Sequence, residues 1–127
     1  MKDKTLKIDI EVLRKILKHQ NGLTETMEML KLKSTSDIIS NNVALKALAL
    51  DIWQIGELSD KLTQETINSF KTLDVKLAYS IRNRIDHAYL SVKPQEIALT
   101  TLQLASDASK DEIKNRIKYC VGYCESK

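Results

Sequence analysis

The stretch "VALKALALDIWQIGELSDKL", residues 43–62, decides the fold class of this chain. It contains no proline, and its apolar residues cover much of the circumference of a helix instead of alternating as they would in a strand. Ser40, Asn41 or Asn42 can cap a helix at its start. The stretch therefore predicts a buried central helix over about 42–62, against which other helices pack.

Apolar residues recur at helical spacing on both sides of this central helix. They predict a first helix over about 9–32, with Gly22 as a candidate kink. They also predict a third helix over about 73–90, capped by Thr72 with Asp74 in its first turn, and a fourth over about 95–121 that starts beside Pro94. The fourth helix has a candidate bend near 106–112, and the polar segments 33–36 and 63–71 are expected connections.

The composition fits one helical domain. The chain has 127 residues, of which 43% are hydrophobic, with one proline and three glycines. This length allows a single core but not two. We expect an all-α fold, a single domain over 1–127 that forms a four- or five-helix up-and-down bundle.

Charge and cysteine usage limit the classes of function. The net charge of +3, from 20 basic and 17 acidic residues, permits contact with nucleic acid without arguing for it. No apolar run approaches the roughly 18 to 20 residues that span a bilayer, and "MKDKTLKIDI" lacks the apolar core of a signal peptide. We expect a soluble, cytoplasmic protein without membrane contact. Cys120 and Cys124, one helical turn apart with only two histidines elsewhere, predict reduced thiols, no metal site and no cofactor.

Polar side chains gather on one side of the predicted third helix, in "SIRNRIDHAYLS", residues 80–91. At about 100° per residue, the core side receives Leu77, Ala78, Ile81, Ile85 and Ala88. The opposite side receives Tyr79, Arg82, Asn83, Asp86, His87 and Tyr89. Spacing lets Asp86 hold Arg82 and lets Asn83 orient the ring of His87. From spacing alone a solvated surface is favoured over a reaction site.

The chemistry that these residues could perform is nevertheless specific. A histidine can exchange a proton with a ribose hydroxyl or a leaving oxygen, and an arginine can stabilise charge on a phosphodiester, so RNA cleavage would need no metal. A tyrosine ring can stack on a base. Arg82 and His87 lie about 140° apart around the helix, so a second copy of the helix, related by a two-fold axis, would complete the site.

Two motifs resemble the HEPN superfamily, in particular the HepT-like toxins of HEPN/MNT toxin–antitoxin pairs. "RNRIDHAY" resembles the R-x-x-x-x-H-x-Y signature, with Arg82, His87 and Tyr89 matching and the polar Asn83 after the arginine. "IWQIGELSDKL", residues 52–62, resembles the family's "IGE" helix at the expected distance upstream. Together the two motifs extend the resemblance over most of the chain.

The resemblance implies an all-α homodimer whose signature helices form a composite endoribonuclease site. Arg82 and His87 would be catalytic, with Asn83 and Tyr89 in support. It also implies an antitoxin partner, a minimal nucleotidyltransferase that can transfer AMP to the signature tyrosine, here Tyr89. The added phosphate and bulk would fill the cleft and inactivate the enzyme.

Four further residues belong to or adjoin these motifs. Asp86 stands where many relatives carry an aliphatic or small residue, which would alter rate or substrate choice. Glu57 either reaches the cleft or forms a structural ion pair. Arg84 is expected at the rim of the core and Trp53 within the core.

Two other classes of function remain open from the sequence. The chain could be a noncatalytic partner that presents nucleotide or substrate to a nucleotidyltransferase. It could also be a plain helical dimer that uses the polar stripe as its interface.

Overall fold

The computed structural model describes residues 1–87 and 92–126, and within these ranges the secondary structure is helical without strands. Its seven helices are α1 (Lys2–Met29), α2 (Thr35–Ile39), α3 (Asn42–Ser59), α4 (Gln64–Ser69), α5 (Val75–His87), α6 (Pro94–Leu104) and α7 (Asp107–Glu125). The predicted all-α class is therefore confirmed. None of the described helices is long and apolar enough to cross a membrane.

The helix bounds differ from the prediction in three ways. The first helix begins at Lys2 instead of near residue 9 and ends at Met29. The predicted fourth helix is two helices, because the chain turns at Ala105 and Ser106 and the Ser106 hydroxyl then caps α7 by accepting the Ser109 N–H at 3.1 Å. A short helix, α2, begins within the first predicted connection and extends past it, and a second, α4, lies within the other. The four or five predicted helices thus become seven in the described ranges, while the predicted end of the third helix, at 90, lies outside them.

Capping residues explain where the two helices of main interest begin. Asn41 caps α3 as predicted, its Oδ1 accepting the Ala44 N–H at 3.0 Å. Thr72 does not cap α5, because α5 begins at Val75 and the capping position is that of Asp74. Asp74 takes that place, with Oδ1 accepting the Lys76 N–H at 3.0 Å.

α3 is the central element, since it packs against α1 on one side and α5 on the other, while α1 also packs on α7. Leu48, Ile52 and Ile55 of α3 are completely buried. On α5, the predicted core positions Ala78 and Ile81 are buried and Ile85 is half-buried. The prediction of Leu77 as a core residue is wrong, because its side chain is 39% exposed beside a surface groove between α5 and α6. Ala88, the remaining predicted core residue, lies outside the described residues.

Gly22 marks a close helix contact, and α1 continues through it without a break from Lys2 to Met29. A Cβ atom at Gly22 would lie 2.8 Å from Oδ2 of Asp51 in α3. The other oxygen of this carboxylate lies 2.8 Å from Nδ1 of His19. The glycine therefore lets α1 approach a His–Asp pair that joins it to α3.

Two carboxylates fix the connections on either side of α4. Asp9 is fully buried and accepts the Thr63 N–H at 3.0 Å and the hydroxyls of Thr63 and Thr66, each at 2.6 Å. Glu112 of α7 accepts the N–H groups of Lys71, Thr72 and Leu73 at 2.6 to 2.8 Å. These bonds set the position from which α5 starts.

Candidate functional site

Gly56 permits the close contact between α3 and α5 on which the site is built. A Cβ atom at this position would lie 2.7 Å from the carbonyl oxygen of Ala78 and 2.8 Å from Cβ of Arg82. Real Cβ atoms do not approach a backbone so closely, so only glycine allows this separation of the helices. The neighbouring Glu57 is thereby brought within reach of the Arg82 side chain.

Arg82 is the centre of the resulting cluster. Its Nε donates to Oε1 of Glu57 and lies 3.4 Å from Oδ2 of Asp86, and its Nη1 donates to Oδ1 of Asn83 at 3.1 Å. The side chain is only 22% exposed. The predicted Arg82–Asp86 pair is present, and Glu57 forms an ion pair with the very residue expected to be catalytic.

The guanidinium of Arg82 is held firmly in its charged form. Its partial burial disfavours the charge, but the hydrogen bond that Arg82 donates to Glu57 and the negative charges of Glu57 and Asp86 outweigh burial and raise the pKa of Arg82. One guanidinium between two carboxylates leaves this trio with a net charge of about −1 when both acids are ionised. An incoming phosphate must therefore compete with acids already bound to Arg82.

The same geometry leaves donors available. An arginine side chain carries about five N–H bonds, of which the Glu57 and Asn83 contacts use one on Nε and one on Nη1. The others have no acceptor among the described residues. Arg82 can consequently be held by the protein and still present N–H groups to a bound anion.

Trp53 belongs to this cluster. The prediction that it lies within the core is wrong. Its ring is half-buried, and its Nε1 donates to Oδ1 of Asp86 at 2.9 Å, while Oδ2 of the same carboxylate faces Arg82. Asp86 therefore links the two helices. The signal in the sequence is the spacing, because Trp53 precedes Glu57 by four residues and so lies on the same side of α3.

Tyr79 of α5 also borders the cluster, beside Arg82. The Cζ atom of Arg82 lies 5.5 Å from the centroid of the Tyr79 ring, a cation–π arrangement. The tyrosine also lines a surface cavity of about 250 Å³ between the end of α3, α4 and α5. An aromatic ring and open space thus lie beside the guanidinium.

His87 and Tyr89 are the other predicted site residues. His87 is exposed and makes no hydrogen bond or ion pair with the described residues, so the predicted bond from Asn83 to its ring is wrong: the Asn83 oxygen is taken by Arg82. Tyr89 lies outside the described residues. Arg84, at the rim as predicted, pairs with Glu96 of α6 at 2.5 Å and stays apart from the cluster.

No metal-binding group emerges from the described side chains. Within 1–87 and 92–126, no three histidine, cysteine, aspartate or glutamate side chains are grouped so that they could hold an ion. Cys120 is buried and Cys124 half-buried, and both are free thiols. Burial raises the pKa of Cys120, which favours the unreactive thiol form.

Comparisons with protein-family models, curated proteins and solved structures give no match to this chain.

Proposed function

We propose that this chain is a metal-independent endoribonuclease, the toxin of a HEPN/MNT-type toxin–antitoxin pair. The observation that carries the proposal is the contact between the two motifs of the sequence, "IGEL" and "RNRIDHAY". Gly56 of the first motif lies against Ala78 and Arg82, and Glu57 bonds to Arg82 across 25 positions of sequence. The motif glycine and glutamate thus have physical roles at the arginine of the signature.

In the proposed reaction a ribose 2′-hydroxyl attacks the adjacent phosphorus and the bond to the 5′ oxygen breaks. His87, whose side chain is exposed, removes the proton of the hydroxyl or donates one to the leaving oxygen. Arg82 stabilises the charge that develops on the phosphate, using the N–H groups that Glu57 and Asn83 leave available. Glu57, Asn83 and Asp86 hold the guanidinium in place.

We further propose that the chain acts as a homodimer, with a composite site and an HEPN-like up-and-down bundle in each protomer. The support is two exposed apolar side chains of α3, Val43 and Leu50, which are 71% and 62% exposed, with Leu50 the nearer to the cluster. Leu50 and Trp53 are three residues apart and so lie on the same side of the helix. A second copy seated on this surface would bring its own Arg82 and His87 to the first.

The proposed partner is a minimal nucleotidyltransferase antitoxin that transfers AMP to Tyr89. The phosphate would then compete with RNA for the cationic groups of the cleft. We place this activity in the cytoplasm, where the RNA substrate occurs.

Cleavage of RNA by the purified protein in the presence of a chelator tests the nuclease proposal. We expect activity in the wild type, loss in His87→Ala and Arg82→Ala, and retention in the matched control Arg84→Ala, which removes an arginine of the same helix that pairs elsewhere. Absence of cleavage by the wild type, or equal cleavage by all four proteins, would contradict the proposal.

The alternative is a noncatalytic subunit that presents nucleotide or substrate to a nucleotidyltransferase. The observation in its favour is that Arg82 is already bound by two carboxylates while His87 is held by none of the described residues. This alternative predicts a stable complex with the transferase, no cleavage of RNA, and normal growth of cells that express the chain alone.

A further inference from the structure

The exposed side of the first part of α1 carries nearly pure positive charge. Projected at about 100° per residue, its cations fall within an arc of about 100° and extend over about 21 Å of helix. We call this set the α1 stripe; it consists of Lys4, Lys7, Arg14, Lys15 and Lys18, all exposed. Glu11 is the one carboxylate within the arc.

The charge of the α1 stripe is not neutralised by ion pairs among the described residues, although the charge of Lys7 acts on the nearby carboxylate of Asp3. None of its side chains forms an ion pair with the described residues, whereas Arg82, Arg84 and Arg116 each pair with a glutamate. Arg14 is thus the one arginine without such a partner in the described part of the chain. Past Lys18 the exposed charges of α1 are the acids Glu25 and Glu28, so the excess of positive charge is local.

We infer that the α1 stripe binds the phosphate backbone of RNA and docks the substrate on the protein. For its choice of ligand this inference rests on the proposed ribonuclease function. A polyphosphate backbone is recognised by repeated cations without apolar contacts, and its binding releases counterions. The lysines and the arginine of the stripe meet that requirement, and the exposed Ile8 lies beside their arc, not within it.

Other polyanionic surfaces fit the α1 stripe less well. A helix that binds a membrane surface inserts an apolar face, and the apolar face of α1 is buried against α3 and α7. The core of a protein–protein interface is depleted of lysine and enriched in apolar and aromatic side chains, the opposite of this surface.

The α1 stripe contains none of the residues of the candidate site, so RNA binding by the stripe can be tested separately from RNA cleavage. His19, next to Lys18, bonds to Asp51 of α3, two residues before Trp53 of the candidate site. The stripe therefore ends level with the middle of α3, and from there it runs beside the second half of α3, since Asp9 bonds to Thr63 just past the end of that helix. Because α1 and α5 pack on different sides of α3, the stripe and the candidate site lie on different faces of the protein, so removal of the stripe should weaken binding without altering the cleaving groups.

The test measures binding of a labelled single-stranded 2′-O-methyl RNA, which lacks the attacking hydroxyl, to the full chain at several salt concentrations. A variant with all five stripe cations changed to glutamine (Lys4, Lys7, Arg14, Lys15 and Lys18) is compared with one that changes Lys33, Lys61, Lys93, Lys114 and Lys118 to glutamine. These control lysines are also exposed, so both variants have the same net charge. A further variant replaces the four stripe lysines by arginine.

We expect the affinity of the stripe variant for this RNA to fall at least about tenfold. Its slope of log affinity against log salt should become shallower by about 0.7 for each phosphate that the protein no longer neutralises. The control and the lysine-to-arginine variant should bind like the wild type.

Equal decreases in affinity in the stripe and control variants, no RNA binding by the wild type, or binding to phosphatidylserine vesicles in place of RNA would overturn the inference. Two outcomes separate the inference from the proposed function. RNA cleavage by the wild type, with binding by the stripe variant unchanged, would refute docking alone. Stripe-dependent binding without cleavage would refute the nuclease alone.

Discussion

Gly56 of α3 lies directly against Arg82 of α5, so that a Cβ atom at position 56 would come within 2.8 Å of Cβ of Arg82. The arginine thus occupies the place where the two helices approach each other over a glycine. Its guanidinium then meets Glu57, the next residue of α3, and Asp86 of its own helix. The geometry of the candidate site depends on this close approach of the two backbones.

Gly56→Ala should destabilise the protein and disturb the cluster. The new methyl group would meet the Ala78 carbonyl and the Arg82 Cβ, neither of which is the flexible end of a side chain, so the helices must separate. We expect a decrease of about 1 to 3 kcal/mol in the free energy of unfolding, measured by urea denaturation.

Gly122→Ala is the matched control, since it makes the same change within a helix where nothing lies within 4 Å of the new atom. There the better helix propensity of alanine should stabilise the protein by about 0.5 to 1 kcal/mol. Effects of the same sign at the two glycines would contradict the close-contact explanation.

Some of this site could be predicted from sequence and some could not. Periodicity identifies α3 as the central helix and places Arg82, Asn83, Asp86 and His87 on the polar side of α5. The Arg82–Asp86 pair follows from a spacing of four residues within one helix. Such predictions succeed because they need only local geometry.

The remaining contacts depend on which helix packs against which. Trp53 reads as a core residue on the pattern of α3, yet its ring nitrogen bonds to Asp86 because α5 passes beside it. Asn83 reads as a partner of His87, yet Arg82 competes for its oxygen. The polar residues near 106–112 indicate a bend in the predicted fourth helix, but its complete division at Ala105 and Ser106 is not predicted, because apolar residues keep helical spacing across the turn.

Asp86→Ala should expose Trp53 to solvent. The carboxylate accepts the indole N–H, and Trp53 is the sole tryptophan, so its fluorescence reports on the cluster alone. We expect emission at longer wavelength and stronger quenching by acrylamide. Asp111→Ala, which removes an exposed aspartate of α7, should leave both unchanged. An unaltered spectrum in Asp86→Ala would show that the bond is not maintained in solution.

Asp9→Ala should be strongly destabilising. Removal of the buried carboxylate leaves the Thr63 N–H and the hydroxyls of Thr63 and Thr66 without their acceptor. The free energy of unfolding should decrease by at least about 2 kcal/mol, with faster hydrogen exchange at the start of α4. Glu11→Ala, an exposed acid of the same helix, should stay within about 0.5 kcal/mol of the wild type. A decrease of only about 0.5 kcal/mol in Asp9→Ala would argue that the hydrogen bonds from Thr63 and Thr66 to Asp9 do not stabilise the fold.

Glu112 should make stability depend on pH in the acid range. Burial alone would raise its pKa, but the N–H groups of Leu73, Lys71 and Thr72 outweigh burial and lower the pKa below its usual value of 4.5. In the unfolded chain the group takes up a proton near that usual value, while in the folded chain it stays ionised to lower pH. Its contribution to stability is therefore complete above about pH 4.5 and is lost as pH falls through the folded pKa.

Glu112→Gln tests this sign by urea denaturation at several pH values. The variant should be less stable than the wild type at neutral pH, because an amide offers fewer acceptor sites to three N–H groups than a carboxylate does. The difference should shrink as the wild-type carboxyl becomes protonated and comes to resemble the amide. Glu125→Gln, an exposed acid of the same helix, should show no such trend. If the wild type and Glu112→Gln differed in free energy of unfolding by the same amount at every pH, including pH values well below 4.5, the charge of Glu112 would not hold the start of α5.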